Sequence, residues 1–305
     1  PEPVAPSHAG SIASMNRMHL NQEPAPVSSI PNFKNVIGLG VAGNFPGHLE
    51  QAGEASDFKD LVIEDPNAPK GVFPFYVPAD GDHFLHTFPI SADRVRLGSD
   101  DENHQPEPEI ALLCDLEWDG DRVTSVTPKQ AMAHNDCSIR REGAKKISEK
   151  KNWGADTKGT SAQSIEIDQF SKGGILDRCR IASFLKRNGK VAAYGVDSSA
   201  ASYSYMYEQL LAWLVVKLND QVDESPLENI SEWLAVAGRP AQALISIGAT
   251  RYTEYGETTF LERGDQVIVA VYDETRFDEA AIRVLAESND AAASQGISLL
   301  RQDVL

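Results

Sequence analysis

Glu107-Pro108-Glu109, and further along Asp136 within Asn135-Asp136-Cys137-Ser138-Ile139-Arg140, are the residues whose types and spacing suit chemistry. Side chains of an extended strand alternate between faces, so Glu107 and Glu109 share one face while Ile110, Leu112, Cys114 and Leu116 share the other. Neighbouring carboxylates repel unless a positive charge stands between them. Glu107, Glu109 and Asp136 together make an oxygen ligand set for a hard divalent cation, Mg²⁺ first, with Mn²⁺ or Ca²⁺ as alternatives. The acid pair by itself is also what a solvent-facing strand carries. Pro108 lacks a ladder donor and fits a strand start or an edge, and Pro128 to His134, leading into Asp136, reads as a helix-like turn.

Other chemistry-bearing groups narrow the choice. Arg140-Arg141, Lys145-Lys146 and Lys150-Lys151 form a basic stretch that reads as a solvated helix face. Gly38-x-Gly40-x-x-Gly43 has the spacing of a dinucleotide fingerprint, but Asn44-Phe45-Pro46-Gly47 breaks the chain where a helix must begin, so NAD(P) binding is rejected. Asp80-Gly81-Asp82-His83 lacks calcium-loop spacing and reads as a turn. Cys114, Cys137 and Cys179 contain no Cys-x-x-Cys pair, which argues against zinc and for a reducing, cytoplasmic location. Cys114 reads as core; Cys137, beside Asp136, has a reactive thiol only as a minor alternative.

The elements that position these residues follow from periodicity. With 305 residues and 41% hydrophobic content the chain can bury a substantial core, and a formal charge of −17 argues against nucleic acid and anionic membrane as partners. An anionic ligand would need local cations. The apolar run Leu210 to Val216 is far too short to span a bilayer. Residues 1–34, rich in Pro, Ser, Ala and Asn, read as a disordered or extended arm in which Met15 is an alternative start. Asp57 to Gly98 is β-rich and turn-rich. Arg180–Leu185 and Arg187–Gly195 read as a hairpin about Asn188-Gly189, and Ser202 is expected to cap a helix from Tyr203 to Leu218. Phe277 to about Ser288 reads as a further helix.

With Glu-x-Glu on a strand and Asn-Asp-x-Ser-x-Arg after it, the chain resembles the fumarylacetoacetate hydrolase superfamily, in which the Asp of the second segment completes a metal site. The resemblance runs from about Asn35 to Asp273. Gly43-Asn44-Phe45-Pro46-Gly47-His48 is similar to the family's Asn-Tyr-x-x-His turn, whose His lies on a mobile lid and, paired with a Glu, serves as general base in hydrolytic members. Gln51 stands where that Glu commonly lies; of the flanking Glu50 and Glu54, Glu50 is taken as the partner of His48. The family's substrate-facing lysine after a Trp corresponds, with one extra residue, to Lys158 after Trp153. Gly159 to Ser164 departs from the family's Phe-Asp and Pro-x-Gly segment, so substrate identity does not carry over. Ala249 stands where a substrate-contacting Thr is expected, leaving Thr250 or Arg251 to compensate, with Arg140 also a candidate for substrate contact.

The resemblance implies a mixed α/β, strand-dominated fold with a rolled β-sandwich core and a homodimeric assembly. Along the chain it implies a small N-terminal portion with the lid (35–100) and a metal-binding catalytic core (101–275), and beyond the resemblance 276–305 reads as a C-terminal helical appendage. The implied activity is metal-dependent hydrolysis of a C–C bond in a small anionic 2-oxo or 1,3-dicarbonyl acid. Glu107, Glu109 and Asp136 would hold Mg²⁺, Lys158 would stabilise an enolate, His48 with Glu50 would activate water, and Arg140, Thr250 and Arg251 would hold substrate. Decarboxylation, hydration and tautomerisation through the same enolate are alternatives. Gln51, Ala249 and the altered segment after Lys158 also leave room for a non-catalytic metal-binding or interaction protein.

Overall fold

The computed structural model describes residues 32–59, 61, 65–99, 101–141, 143–288 and 295–305. The arm expected over 1–34 lies outside the described residues except for Asn32 to Lys34, where Phe33 is already buried. No helix among the described residues is long and apolar enough to cross a membrane.

Two strands organise the fold. Pro108–Asp119 and Arg122–Asn135 form a long antiparallel hairpin, turning at Gly120, whose φ of 58° suits a residue without a Cβ. Ile110, Leu112, Cys114 and Leu116 enter the main core, as alternation predicts. Ala111 and Leu113 enter a second cluster on the opposite face, with Phe73, Phe75, Met132 and Leu244. The strand is therefore buried on both faces, and Glu107 and Glu109 do not look onto solvent.

The helix-like turn expected from Pro128 to His134 is strand instead. Pro128 lies opposite Cys114, where the register shifts, and a bulge of this kind tolerates the missing N–H. This correction matters for the site. Because the second strand runs straight to Asn135, Glu109 faces His134 across the ladder, and the Asp136 N–H donates to the Glu107 carbonyl at 2.9 Å.

Around the hairpin an eight-stranded sheet runs in the order Gly71–Tyr76, Ile37–Ala42, Gln242–Ser246, Pro108–Asp119, Arg122–Asn135, Lys158–Thr160, Ile90–Ser91, with Ile165–Glu166 also paired to Arg122–Asn135. Gly38 and Gly40 are explained here. A Cβ on Gly38 would stand 2.2 Å from the Phe75 ring and one on Gly40 2.2 Å from the Phe73 ring, so the glycines admit cross-strand aromatics and not a nucleotide.

The second sheet has five strands, Lys190–Ser199, Cys179–Arg187, Gln266–Asp273, Ile297–Val304 and Arg94–Val95, and the main core joins the two sheets and the helix Tyr207–Asp220. The expected Asn188-Gly189 hairpin is present, with φ of 52° and 76°. The helix begins four residues later than expected. Ser199, rather than Ser202, makes a capping bond, to a short 3₁₀ turn Ala200–Ser202, and Tyr203 is extended with its hydroxyl donating to the Gly248 carbonyl at 2.8 Å.

The C-terminal segment is also not an appendage. After the helix Glu279–Glu287, which packs Ile282 and Ala286 on the back of the second sheet, Ile297–Val304 returns as an interior strand between Gln266–Asp273 and Arg94–Val95. Its buried Gln302 accepts from Asn135 Nδ2 at 2.9 Å, so the end of the chain supports the end of the hairpin. Likewise Ile37–Ala42 and Gly71–Tyr76 belong to the large sheet rather than to a separate N-terminal unit.

One buried acid away from the hairpin gives a clear pH dependence. Glu228, 5% exposed, accepts a hydrogen bond from Ser148 Oγ, and burial pushes its carboxyl from 4.5 up to about 7. The unfolded chain releases this proton earlier, so stability is lost as pH rises from about 4.5 to about 7 and levels off above that. Glu228→Gln keeps an acceptor for Ser148. It is expected to gain on wild type across this window by on the order of 2–3 kcal/mol, read from urea titrations at about pH 5 and about pH 8.

Candidate active site

The hairpin end brings Glu107, Glu109 and Asp136 together, with one ligand atom from each within 4.8 Å of the others. All three are buried, at 4%, 2% and 0% exposure, which an isolated set of acids could not sustain. The Asn-Asp-x-Ser-x-Arg segment holds them in place. Asn135 Oδ1 accepts from the Glu107 N–H at 3.1 Å, Ser138 pairs with Gln105 in a short ladder, and Arg140 reaches back to Glu107. Glu109 Oε2 accepts from the Gly248 N–H at 2.8 Å, tying the triad to the loop after Gln242–Ser246.

Cations surround the acids. Lys151 Nζ lies 2.6 Å from both Glu107 Oε2 and Asp136 Oδ2, Lys158 Nζ lies 2.9 Å from Asp136 Oδ1, and Arg140 Nη2 lies 2.7 Å from Glu107 Oε1. Burial by itself would raise Glu107, but Lys151 and Arg140 outweigh it and hold its carboxyl well below the usual range. Among the described residues no ion pair forms on Glu109. Burial, then the charge of Asp136, pushes it well above the ordinary carboxylate value, and the charge of Lys151 opposes the shift only in part. Burial lowers the Lys158 ammonium while Asp136 opposes that shift.

The donor set suits a hard divalent ion. Glu107 Oε1 and both Asp136 oxygens are buried, and among the described residues they are met only by the ionic contacts of Arg140, Lys158 and Lys151. A divalent ion at Glu109 would also reverse the penalty that favours its neutral form. Cys137 contributes no nucleophile: burial pushes its thiol up to about 12, and all three cysteines are buried and free.

His48 lines the same cavity as Glu107 and Glu109, on the one-turn helix His48–Gln51. Its Nδ1 lies 3.0 Å from the Thr250 carbonyl; a carbonyl only accepts, so Nδ1 carries the proton and Nε2 is left as the acceptor. Burial lowers its pKa, against the opposing charge of Glu107, so the ring is neutral at pH 7. Glu50 is exposed, and the acids whose fields reach His48 are Glu107 and Glu54. Glu54 itself is held by Arg140 Nη1 and Lys150 Nζ, each at 2.8 Å. Gln51, where a Glu is usual in the resembling family, exchanges two bonds with the Tyr252 backbone, at 2.9 and 3.1 Å, and so fastens the His48 turn down.

The remaining expected residues divide. Thr250 is buried against His48, with its hydroxyl 3.4 Å from the Pro108 carbonyl. Arg251 is exposed. Arg140 is fully engaged, donating to Gln105 Oε1 at 2.7 Å and to the Tyr252 hydroxyl at 3.0 Å besides its two acids. Sequence reasoning missed Lys151, which it placed on a solvated face and which is 3% exposed. The available signal was a charge mismatch, since three acids on one buried face require cations and the basic stretch is their nearest source in the chain.

The space between these groups is small. A cavity of about 20 Å³, lined by His48, Glu54, Phe73, Glu107, Glu109 and Lys151 among others, has room for about one water. A larger, open cavity of about 440 Å³, lined by Lys172, Asp177, Tyr203 and Tyr207 among others, contains none of the site residues.

No curated protein matches the sequence significantly. Among solved structures the chain is similar to 2-keto-3-deoxy-D-arabinonate dehydratase complexed with magnesium and 2,5-dioxopentanoate, with 13% identity and a TM-score of 0.50 over 88% of this chain and 72% of that one. It is also similar to a putative fumarylacetoacetate hydrolase family protein from Yersinia pestis CO92, with 10% identity and a TM-score of 0.48 over 88% of this chain and 94% of that one. A third likeness is to 5-carboxymethyl-2-hydroxymuconate delta-isomerase from Mycobacterium smegmatis, with 13% identity and a TM-score of 0.47 over 88% and 78% of the two chains. At these identities the likeness is one of fold, and the fold shared with the dehydratase is mixed α/β and strand-dominated, as expected. Within that fold a family model matches residues 54–304, and the chain belongs to the family of unknown function DUF5718.

Proposed function

We propose that this chain is a divalent-metal-dependent enzyme acting on a small anionic 2-oxo or 1,3-dicarbonyl acid through an enolate, with hydrolytic C–C cleavage as the leading reaction. The observation that carries this reading is the buried triad Glu107, Glu109 and Asp136 with Lys158 against it. When bound there, a divalent ion supplies Lewis-acid polarisation of the substrate's carbonyl. Lys158 stabilises negative charge developing on the substrate oxygen. His48 takes a proton at Nε2, with its tautomer held by Thr250 and its ring fixed by the Gln51 clasp.

Charge balance favours an anionic substrate. With an ion bound Glu109 ionises, so the three acids are matched by Arg140, Lys151 and Lys158 while Glu54 is matched by Lys150, and the ion alone would leave two positive charges buried. A dianionic acid entering with the ion restores neutrality. The small cavity requires the His48 turn to move for substrate to enter, and the Gln51 bonds to the Tyr252 backbone are the clasp that would open. The magnesium complex and the isomerase among the similar structures support dehydration or isomerisation as the second reading, since either uses the same enolate. The homodimer implied by the resemblance and the cytoplasmic location read from the cysteines belong to the same reading.

The test is calorimetric titration of chelator-treated protein with Mg²⁺, with and without oxalate as a mimic of a planar enolate, followed by a screen of 2-oxo acids. Oxalate binding that appears only with Mg²⁺ is the expected result. Failure to bind either, alone or together, overturns the reading. In the screen, His48→Ala is expected to lower kcat by roughly 10²–10⁴-fold while leaving the Mg²⁺ affinity unchanged.

A further inference from the structure

Glu107 and Asp136 present four carboxylate oxygens, and each lies within 2.9 Å of a cation supplied by this same chain. Lys151 differs from the other two cations in where it binds. Arg140 and Lys158 each take one outer oxygen, whereas Lys151 Nζ bridges the two acids across the hairpin, at Glu107 Oε2 and Asp136 Oδ2. It differs also in what else holds it. Arg140 is anchored by Gln105, Glu54 and Tyr252, and Lys158 is anchored in a strand and by the Cys137 carbonyl. Beyond its two acids, Lys151 has a 3.4 Å contact with the Asp136 carbonyl and lies 5.2 Å from the centre of the Phe73 ring. It follows the short 3₁₀ turn Ile147–Lys150 rather than a sheet strand, so its backbone carries no ladder bonds.

A hard divalent ion sits about 2.0–2.6 Å from its carboxylate oxygens, which is the space this ammonium fills. Two cations at that separation in a buried site repel strongly. We infer that Lys151 is the resident cation of the triad and an intrinsic competitor of the divalent ion: metal reaches Glu107 and Asp136 only as the Lys151 ammonium leaves the oxygens it bridges. The inference rests on the metal reading above and adds a regulation to it. Loading becomes conditional, because the charge of an arriving dianion drives the exchange, and without one the chain keeps its own cation in the site.

The experiment is a Mg²⁺ titration, in the absence of oxalate, of wild type, Lys151→Met and the control Lys146→Met, whose ammonium serves Asp223 and the Leu227 carbonyl instead. Lys151→Met is expected to bind roughly tenfold or more tightly than wild type, and Lys146→Met like wild type. Equal affinity in wild type and Lys151→Met overturns the inference and leaves the metal reading standing. No binding by any of them, with oxalate or without, overturns the metal reading and the inference with it. If Lys151→Met folds only when Mg²⁺ is added, the ion has replaced the lost ammonium, which supports the exchange. A measurement on wild type is independent of that variant: in crystals loaded with Mn²⁺ and oxalate, Lys151 Nζ is expected away from both oxygens, and a manganese peak at the triad with Nζ still bridging them overturns the proposal.

Discussion

Asp136→Asn is expected to abolish divalent-ion binding and to lower stability by about 3–5 kcal/mol, the range for breaking a buried pair on one side only. The size follows from what Asp136 touches. It is fully buried, and its two oxygens each face an ammonium, Lys158 at 2.9 Å and Lys151 at 2.6 Å. Asparagine matches its shape, so packing is unchanged, but it removes the charge that keeps two buried ammonium groups tolerable. Lys151 retains Glu107, whereas Lys158 loses its one carboxylate contact and keeps the Cys137 carbonyl. Urea titrations and calorimetry with Mg²⁺ measure the two effects separately. Stability within about 1 kcal/mol of wild type would mean that the ion pairs are worth no more than surface ones. Retained Mg²⁺ binding would remove Asp136 from the ligand set.

Lys158→Met is expected to lower kcat on the oxo acid found by the screen by roughly 10²–10³-fold, as loss of one preorganised group facing a developing negative charge does. Methionine retains the apolar stem in a site that is 0% exposed, where the ammonium lies 5.5 Å from the centre of the Trp153 ring. Lys151 continues to neutralise Asp136 Oδ2, so Mg²⁺ affinity is expected to stay within a few-fold of wild type or to rise. The distinguishing readout is the split between kcat and KM: an interaction made only as charge develops appears in kcat with KM little changed. An unchanged kcat would assign Lys158 to structure, holding Asp136 alone.

The sequence by itself determined the residue types, the strand alternation and the order of the motifs. Glu-x-Glu on a strand with an apolar opposite face, the Asn-Asp-x-Ser-x-Arg segment, the Asn188-Gly189 turn and Lys158 after Trp153 are local patterns, and local patterns survive in a linear reading. Tertiary structure decided burial and partnership. Pro128 read as a helix-like turn because proline weakens a strand, but a bulge opposite Cys114 accommodates it. The segment after Asp273 read as an appendage because the resemblance stops there, while the interior strand Ile297–Val304 depends on pairing with Gln266–Asp273 and Arg94–Val95. Glu54 rather than Glu50 lies in the field of His48 because Arg140 and Lys150, distant in sequence, draw its carboxylate inward. Lys151 is the clearest case. Nothing in a run of lysines distinguishes a solvated ammonium from one drawn between two buried carboxylates, because the energy that buries it comes from Glu107 and Asp136, which only the folded hairpin places side by side.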